Sequence, residues 1–367
     1  MIRRFLDLHI PIETCNLRCH YCYITQQRKF DNKLEKFPFS PKTIRKALSK
    51  ERLGGSCLLN MCAGGETLLS EEVIELMREL LEEGHYLSVV TNGTMTNRFE
   101  QIAKFPKELI DHIFFKFSYH YMEFMRLGWL DRFFNNVKLM RDSGASFTVE
   151  LTPSDEIMPY MEELKQKCFS ELGAMPHVTI ARDDRDSSIP VLSKYSLDEF
   201  VNIWKNFDSE MLNFKSTIFG KKRNEYCYAG EWVGWINLWT GDLRPCNCGP
   251  SVDNIFENID KPINFHALGK HCSIAHCYNG HVWLTLGAIP EMESPTYAML
   301  RNRICKDGSE WLKPVMKEVM STKLKNTNRE YTPQEKIRNE KLYRFNKCLS
   351  FGKRAGKWAL RKLGIRS

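Results

Sequence analysis

The chain has 367 residues, 43% of them hydrophobic and 27% charged, proportions typical of a water-soluble globular protein with one large or two ordinary domains. The net charge of +8 is concentrated in residues 338–367, which hold ten Lys or Arg and one Glu; it says little about the substrate of the rest of the chain. No apolar run reaches the roughly 18 residues of a membrane span, and no signal-peptide pattern is present. We therefore expect a cytoplasmic protein and exclude an integral membrane protein.

Short β-branched or aromatic runs alternate with helical patterns from residue 5 to about 210, which predicts an α/β fold with a parallel sheet. Strands are predicted at 5–12, 57–62, 86–91, 112–118, 146–152 and 177–182. Helices are predicted at 41–48, 71–83, 130–143, 157–169 and 197–207. Six such units are what an open, partial (β/α)6 TIM-like barrel requires, and such barrels carry functional residues at the carboxyl ends of their strands.

Three cysteines with the spacing C-x3-C-x2-C, Cys15, Cys19 and Cys22, follow the first predicted strand. Thiolates at this spacing can all turn from one loop onto a single iron–sulfur cluster. Three ligands leave one iron of a four-iron cluster open for chemistry. A structural zinc loop would need a fourth Cys or His nearby, and a disulfide would leave one thiol over.

With an aromatic residue, Tyr21, before its last cysteine, this motif resembles the signature of the radical SAM superfamily. The resemblance implies a partial barrel and a 4Fe-4S cluster whose open iron chelates the amino and carboxylate groups of S-adenosylmethionine (SAM). It also implies reductive cleavage of SAM to a 5′-deoxyadenosyl radical that takes a hydrogen atom from the substrate. An electron donor such as flavodoxin or ferredoxin is then an expected partner.

Residues after the later strands are similar to cofactor contacts of that family. Gly64-Gly65-Glu66 resembles the GGE motif, in which the backbone and Glu66 hold the methionyl amine of SAM; alone it would be a turn with an exposed Glu. Asn92 lies in a Thr-Asn-Gly sequence after the third strand, and Ser118 ends the fourth, where relatives often contact the ribose.

Two further candidates follow the fifth and sixth strands. Relatives more often carry Asn where this chain has Thr152 and Glu150, which leaves a ribose role for either open. Arg182 begins a charged stretch that is either a solvated loop or a source of a cation for a carboxylate of SAM or substrate.

A second group of cysteines lies at 227–277. Residues 232–246 read as a β-hairpin with Gly241 and Asp242 at its turn, which is expected to bring Cys227 near Cys246. The stretch between them resembles the opening of SPASM and twitch extensions, which ligate auxiliary clusters. The remaining block of a full SPASM domain is absent, so one auxiliary 4Fe-4S cluster is predicted, with ligands Cys227, Cys246, Cys272 and Cys277. Cys248 competes as a ligand, and zinc held by the same cysteines, or by His276 in place of Cys277, is the alternative.

The chain is thus divided into a partial barrel at 1–210, an auxiliary cluster region with a cysteine-rich β-hairpin and helical extension at 211–295, and a polar, helical region at 296–367. The basic tail at 338–367 combines positive charges with aromatic and aliphatic residues. It is expected either to lie on an anionic membrane surface or to form a solvated or docked helix. Nucleic-acid binding is less consistent with it, because no base-stacking module accompanies the charge.

The resemblance leaves the substrate open. Epimerisation or dehydrogenation of a sugar or aminocyclitol-type substrate is the first interpretation, and modification of a ribosomally made peptide is the second. A non-catalytic zinc or iron–sulfur protein is the third. An epimerase needs a thiol that returns a hydrogen atom, for which Cys248 and then Cys62 are the candidates; Cys62 could equally be a buried small hydrophobic residue.

Overall fold

The computed structural model describes residues 1–246, 249–345 and 348. Within these residues one sheet runs in the order β6-β5-β4-β3-β2-β1-β7-β8-β9. Its strands are β1 Arg4–Ile10, β2 Cys57–Ala63, β3 Tyr86–Thr91, β4 Ile113–Tyr119, β5 Ser146–Leu151, β6 His177–Val178, β7 Val233–Asn237, β8 Asp242–Arg244 and β9 Asp253–Asn254.

The α-helices are α1 Tyr23–Gln26, α2 Pro41–Ala47, α3 Lys50–Leu53, α4 Glu72–Glu82, α5 Thr96–Ile102, α6 Lys107–Ile110, α7 Tyr121–Leu127, α8 Leu130–Asp142, α9 Met161–Leu172, α10 Leu197–Trp204, α11 Glu210–Ile218, α12 His281–Thr285, α13 Tyr297–Arg301 and α14 Pro314–Ser321. Short 3-10 helices lie at Thr67–Leu69, Asp155–Tyr160, Lys205–Phe207 and Leu324–Asn326, and residues 333–345 are also helical. Among the described helices, none has the length and apolarity needed to cross a bilayer.

Strands β1 to β6 pair in parallel with their sequence neighbours, which confirms the α/β class and the partial barrel. The predicted sixth strand, 177–182, is shortened to two residues. The Thr179 amide still donates to the Leu151 carbonyl of β5 at 3.1 Å. From Ala181 onward the backbone bonds instead to residues 190–192, with the Leu192 amide donating to the Ala181 carbonyl at 3.0 Å.

Side chains alternate between the two faces of the parallel strands. On β4, Phe115, Phe117 and Tyr119 are buried in the core beneath the helices, whereas Lys116 and Ser118 line a cavity on the inner face. Every strand from β1 to β5 places side chains on both faces. The helices cover one face of the sheet, and the polar side chains on the other face line the cavity.

Strand β7 joins the barrel sheet, a pairing that the sequence did not predict. It lies parallel to β1, with Phe5 opposite Val233 and Asp7 opposite Trp235. The predicted hairpin is present, because β7 pairs antiparallel with β8. The cysteine-rich region is thus continuous with the barrel sheet through β1.

The amino end of the inner face is closed by the last part of the chain. Phe5, Leu58 and Phe114 pack there in one apolar cluster with Tyr297 and Met316. The region from residue 296, expected to be polar, therefore supplies core residues. Because apolar side chains fill this end, the polar inner face is confined to the carboxyl ends of the strands.

Candidate active site

Cys15, Cys19 and Cys22 line one pocket at the carboxyl ends of the first strands. We call it the first cysteine pocket. Its cavity is about 100 Å³. The other polar or glycine residues in its wall come from the carboxyl ends of β2, β3 and β4 and from the loops that follow them: Cys62, Gly64, Gly65, Glu66, Thr67, Thr91, Asn92, Ser118 and His120. Residues from four separate segments thus converge where parallel strands are expected to present them.

Gly65 fastens the cysteine loop to the end of β2. Its amide donates to the Ile12 carbonyl at 2.8 Å, and the Glu66 amide donates to the Thr14 carbonyl at 3.0 Å. A Cβ atom at Gly65 would lie 1.7 Å from the Thr14 carbonyl oxygen. This position therefore requires glycine because two stretches of backbone approach closely.

The Glu66 carboxylate organises the loop after β3. It accepts from the Thr91 hydroxyl at 2.6 Å, from the Asn92 amide at 2.7 Å and from the Leu68 amide at 3.0 Å. Glu66 is 2% exposed, and burial raises its pKa although all three hydrogen bonds lower it. Both oxygens of its carboxylate are therefore already engaged by donors within the protein.

Asn92 ties β3 to the cysteine loop. Its side-chain nitrogen donates to Asn16 Oδ1 at 2.7 Å and lies 3.9 Å from Cys15 Sγ. Asn16 in turn donates to the Thr94 hydroxyl at 2.8 Å. These bonds fix the first cysteine relative to the sheet before any ligand binds.

The thiols of the loop lie in a low-polarity setting. Burial raises the pKa of Cys15 to about 11 and also raises the pKa values of Cys19 and Cys22. A coordinating metal deprotonates a thiol outright, so these directions do not oppose ligation. The donor set of three sulfurs around one cavity fits an iron–sulfur cluster.

Tyr21 faces a second, larger cavity. Its hydroxyl is 2.6 Å from His120 Nδ1. Burial lowers the pKa of His120 to about 4 and raises that of Tyr21 well above its usual value. The phenol therefore donates to a neutral imidazole, and this pair forms a fixed part of the cavity wall.

That larger cavity, which we call the lumen, occupies about 680 Å³ over the inner face of the sheet. Its size is within the usual range for small-molecule sites. Strand residues in its wall include Asp7, His9, Cys62, Lys116, Ser118, Glu150 and Trp235. Asp7 and Glu150 are held by Asn60, at 2.7 Å, and by Arg301, respectively.

Cys62 lies at the junction of the two cavities, because it lines both. Burial raises the pKa of its thiol to about 12. The side chain is thus a protonated S–H at neutral pH, next to the first cysteine pocket and open to the lumen. Cys248, the other predicted hydrogen donor, lies outside the described residues.

The remaining predicted cofactor contacts also reach the lumen. Ser118 lines both cavities, whereas Thr152 and Arg182 line the lumen alone. Arg182 Nε donates to the two Asp184 carboxylate oxygens at 2.9 and 3.1 Å, and Nη1 donates to Asn279. Its charge is therefore already balanced by Asp184.

The four predicted auxiliary ligands, Cys227, Cys246, Cys272 and Cys277, line a second cysteine pocket with apolar neighbours such as Leu268 and Trp283. Cys246 also lines the lumen. His276 is not in this wall; its Nε2 lies 3.0 Å from the Ile189 carbonyl. Throughout the described part of the chain, no three His, Cys, Asp or Glu side chains are arranged to hold a single metal ion.

The barrel is similar to a known protein family. Residues 9–154 match the model of the Radical SAM superfamily. This part of the chain is therefore similar to radical SAM proteins.

The solved structure of SuiB with bound S-adenosylmethionine has a fold similar to that of this chain. SuiB of Streptococcus suis bound to S-adenosylmethionine matches with a TM-score of 0.50 and 16% identity over 72% of this chain and 67% of that chain. anSMEcpe with bound AdoMet and a Cp18Cys peptide matches with a TM-score of 0.47 and 16% identity, covering 69% and 77%. BtrN in complex with AdoMet and 2-DOIA matches with a TM-score of 0.33 and 12% identity, covering 71% and 82%. At these identities the likeness bears on the fold alone. No curated protein matches the chain in sequence.

Several residues around the cavities of the radical SAM domain were missed from the sequence. Lys116 and Lys215 line the lumen, as do Trp235 and His281. Lys116 had a signal, since it alternates with Ser118 on a strand of apolar residues. Lys215 had none, because nothing in helix α11 indicates that it reaches the barrel.

We expect Lys215→Met to stabilise the protein at pH 6 by about 2 kcal/mol. Burial, with smaller contributions from Arg182 and Lys116, lowers the pKa of Lys215 from its ordinary 10.5 to about 7. The neighbouring His281 is neutral. Below pH 7 the lysine is charged in both the folded and the unfolded chain. Burial of this charge therefore lowers the free energy of unfolding. This penalty fades between pH 7 and about 10.5, because there only the unfolded chain binds the proton.

Urea unfolding at pH 6 and pH 10 measures this effect. The gain in the free energy of unfolding at pH 6 should be smaller at pH 10. At that pH the variant still lacks the 2.8 Å hydrogen bond to Thr179 but no longer removes a buried charge. The exposed Lys205→Met is the matched control and should change stability by less than about 0.5 kcal/mol at either pH. An equal destabilisation by Lys215→Met at both pH values would contradict the expectation.

Proposed function

We propose that this protein cleaves SAM reductively at a 4Fe-4S cluster held by Cys15, Cys19 and Cys22, and that it abstracts a hydrogen atom from a substrate in the lumen. The observation that carries the proposal is the convergence of these three cysteines with Gly64, Gly65 and Asn92 in one pocket. When bound, the cluster and SAM supply a 5′-deoxyadenosyl radical. The superfamily match to residues 9–154 supports the same chemistry.

In this proposal each wall of the pocket has its own role. Backbone groups of Gly64 and Gly65 receive the methionyl amine, and Glu66 holds Thr91 and Asn92 in place. Ser118, in the wall common to both cavities, is suited to the ribose. Tyr21, Thr152 and Arg182 border the lumen beyond it.

The test is anaerobic reduction of iron-reconstituted protein with dithionite in the presence of SAM. We expect 5′-deoxyadenosine above the level in a reaction without protein. Its absence from protein that carries a full complement of iron would favour the third interpretation, a non-catalytic cluster protein.

We further propose one auxiliary 4Fe-4S cluster in the second cysteine pocket. Four cysteines line this pocket, which is the number of thiolates that a 4Fe-4S cluster requires. We expect about eight irons per chain, falling to about four in Cys227→Ala, with 5′-deoxyadenosine formation retained. Iron analysis that finds zinc and about four irons in the unmodified protein would contradict this.

For the substrate we propose a sugar or aminocyclitol-type molecule that is epimerised or dehydrogenated. A lumen of about 680 Å³ suits a small molecule, and Cys246 lies between it and the second pocket, where an auxiliary cluster could accept an electron. Modification of a ribosomally made peptide is the alternative; it would require a peptide segment to enter the lumen.

Replacement of Cys62 distinguishes epimerisation from dehydrogenation. Its S–H bond would break as a C–H bond forms on the substrate radical, leaving a thiyl radical that one electron and one proton restore. In an epimerase, Cys62→Ala should remove solvent deuterium from the product and lower turnover at least about a hundredfold, with SAM cleavage retained. Unchanged deuterium uptake would exclude Cys62 and direct attention to Cys248.

The division of the chain at about residues 210 and 295 remains a proposal, as do the flavodoxin- or ferredoxin-type electron donor and the cytoplasmic location. The proposed membrane contact of residues 338–367 falls mostly outside the described residues.

A further inference from the structure

The lumen contains more positive charge than its own residues balance. Arg182 pairs with Asp184, Arg244 lies 3.6 Å from Asp242, and Arg301 pairs with Glu150. Two cations in its wall, Lys116 and Lys215, have no carboxylate within ion-pair distance in the described structure.

Both lysines are poorly satisfied where they lie. Lys215 is 4% exposed, and its amine donates only to the Thr179 hydroxyl. Lys116 makes no hydrogen bond to any described residue. Its charged neighbour on the sheet, Asp7, is bound to Asn60, and burial raises the pKa of that carboxyl.

His281 does not balance the positive charge of Lys116 and Lys215. A guanidinium can only donate, so His281 Nε2 must accept from Arg301 Nη2 at 2.9 Å. The ring is thus neutral and adds no charge. Burial also lowers its pKa well below the usual value, and Lys215, Lys116 and Arg182 act on it in the same direction.

The two lysines approach the cavity from different elements. Lys116 projects from strand β4, and Lys215 projects from helix α11. Burying an ammonium group without a partner is costly, and buried ionisable groups that face a cleft are candidates for a functional site. A single anionic group between them would accept hydrogen bonds from both.

We propose that the lumen holds its substrate through a carboxylate or phosphoryl group bound between Lys116 and Lys215. This rests on the proposed function for the identity of the bound molecule as a substrate. Within the sugar class it favours a sugar acid or a sugar phosphate over an aminocyclitol, whose ammonium groups these lysines would repel.

The carboxylate of SAM is the other possible source of the anion. Neither lysine lines the first cysteine pocket, whereas Ser118 and His120 line both cavities. The proposal therefore predicts that SAM and the anion bind together, and that a lysine variant loses the anion without losing SAM.

The experiment uses the full chain with its iron reconstituted under anaerobic conditions, and inorganic phosphate and acetate as probes in calorimetric titrations at pH 6.5. We expect Lys215→Met and Lys116→Met each to weaken phosphate binding about tenfold to a hundredfold. Lys215→Arg should retain most of it. The exposed Lys104→Met, outside the lumen wall, is the control and should leave binding unchanged.

Saturating SAM distinguishes the two sources of the anion. Phosphate affinity that persists with SAM bound supports the proposal, whereas competition between them would assign the lysines to the SAM carboxylate and overturn it. Equal phosphate affinity in the unmodified protein and both Met variants would also overturn it. Formation of 5′-deoxyadenosine is measured in the same samples. Its absence with lysine-dependent phosphate binding would refute the proposed function and leave the anion site standing.

Discussion

Replacing Cys15 with Ala should lower the yield of 5′-deoxyadenosine on the order of a thousandfold or more and remove about four irons per chain. Cys15, Cys19 and Cys22 are the only cysteines of the described residues that line the first cysteine pocket besides Cys62. Loss of one thiolate from a three-thiolate site leaves two protein ligands, too few to hold a cluster with one open iron. Cys19→Ala and Cys22→Ala should behave in the same way.

The matched control is Cys57→Ala. Cys57 is fully buried at the start of β2 and lines neither cysteine pocket. Its replacement should cost about 1 kcal/mol of stability and leave iron content unchanged. SAM cleavage that persists in Cys15→Ala, or iron lost equally from Cys57→Ala, would mean that the cluster is held elsewhere.

The second large effect is expected for Gly65→Ala. The added Cβ would lie 1.7 Å from the Thr14 carbonyl oxygen and 2.3 Å from its carbon, and both are backbone atoms that cannot rotate away. The turn must therefore separate from the cysteine loop and lose two backbone hydrogen bonds. We expect a loss of about 3 kcal/mol or more in the free energy of unfolding, measured by urea denaturation, with SAM cleavage abolished.

Gly64→Ala is the comparison one residue away. There the three atoms nearest to the Cβ belong to the Glu13 carboxylate, the closest at 2.1 Å. That side chain is 54% exposed and can move away at the cost of its 2.9 Å contact with His9 Nε2. A stability loss below about 1 kcal/mol is expected. If the two alanine variants were equally stable, the close approach at Gly65 would not constrain the loop.

The sequence was sufficient for the parts of the fold that depend on local pattern. The bounds of strands β1 to β5 were predicted to within a few residues. This was possible because side chains alternate between the two faces of a strand, which gives apolar residues a period of two in the sequence. The Cys15 to Cys22 motif was found from its spacing. The Gly64-Gly65-Glu66 turn was found because its position after that motif resembles the order of motifs in the radical SAM superfamily. Their convergence followed from parallel strands, whose carboxyl ends share one edge.

Non-local contacts could not be predicted in this way. Nothing in the hairpin of β7 and β8 indicates that β7 pairs with β1, 228 residues earlier. Lys215 lies in helix α11, whose sequence pattern of polar and apolar residues is ordinary. Its position in the wall of the lumen depends on the tertiary fold. Trp235 was read as a hairpin residue, yet it forms part of the cavity wall.

The position of β7 has a consequence during synthesis. Until Val233 has left the ribosome, β1 is an unprotected sheet edge, and translation at roughly 5 to 20 residues per second leaves it so for about 10 to 45 seconds. Such an edge is a template for pairing with other chains. The nascent polypeptide therefore carries its iron-binding loop beside an aggregation-prone border for most of its elongation, and chaperone occupancy during that interval should govern how much of the protein a cell can accumulate.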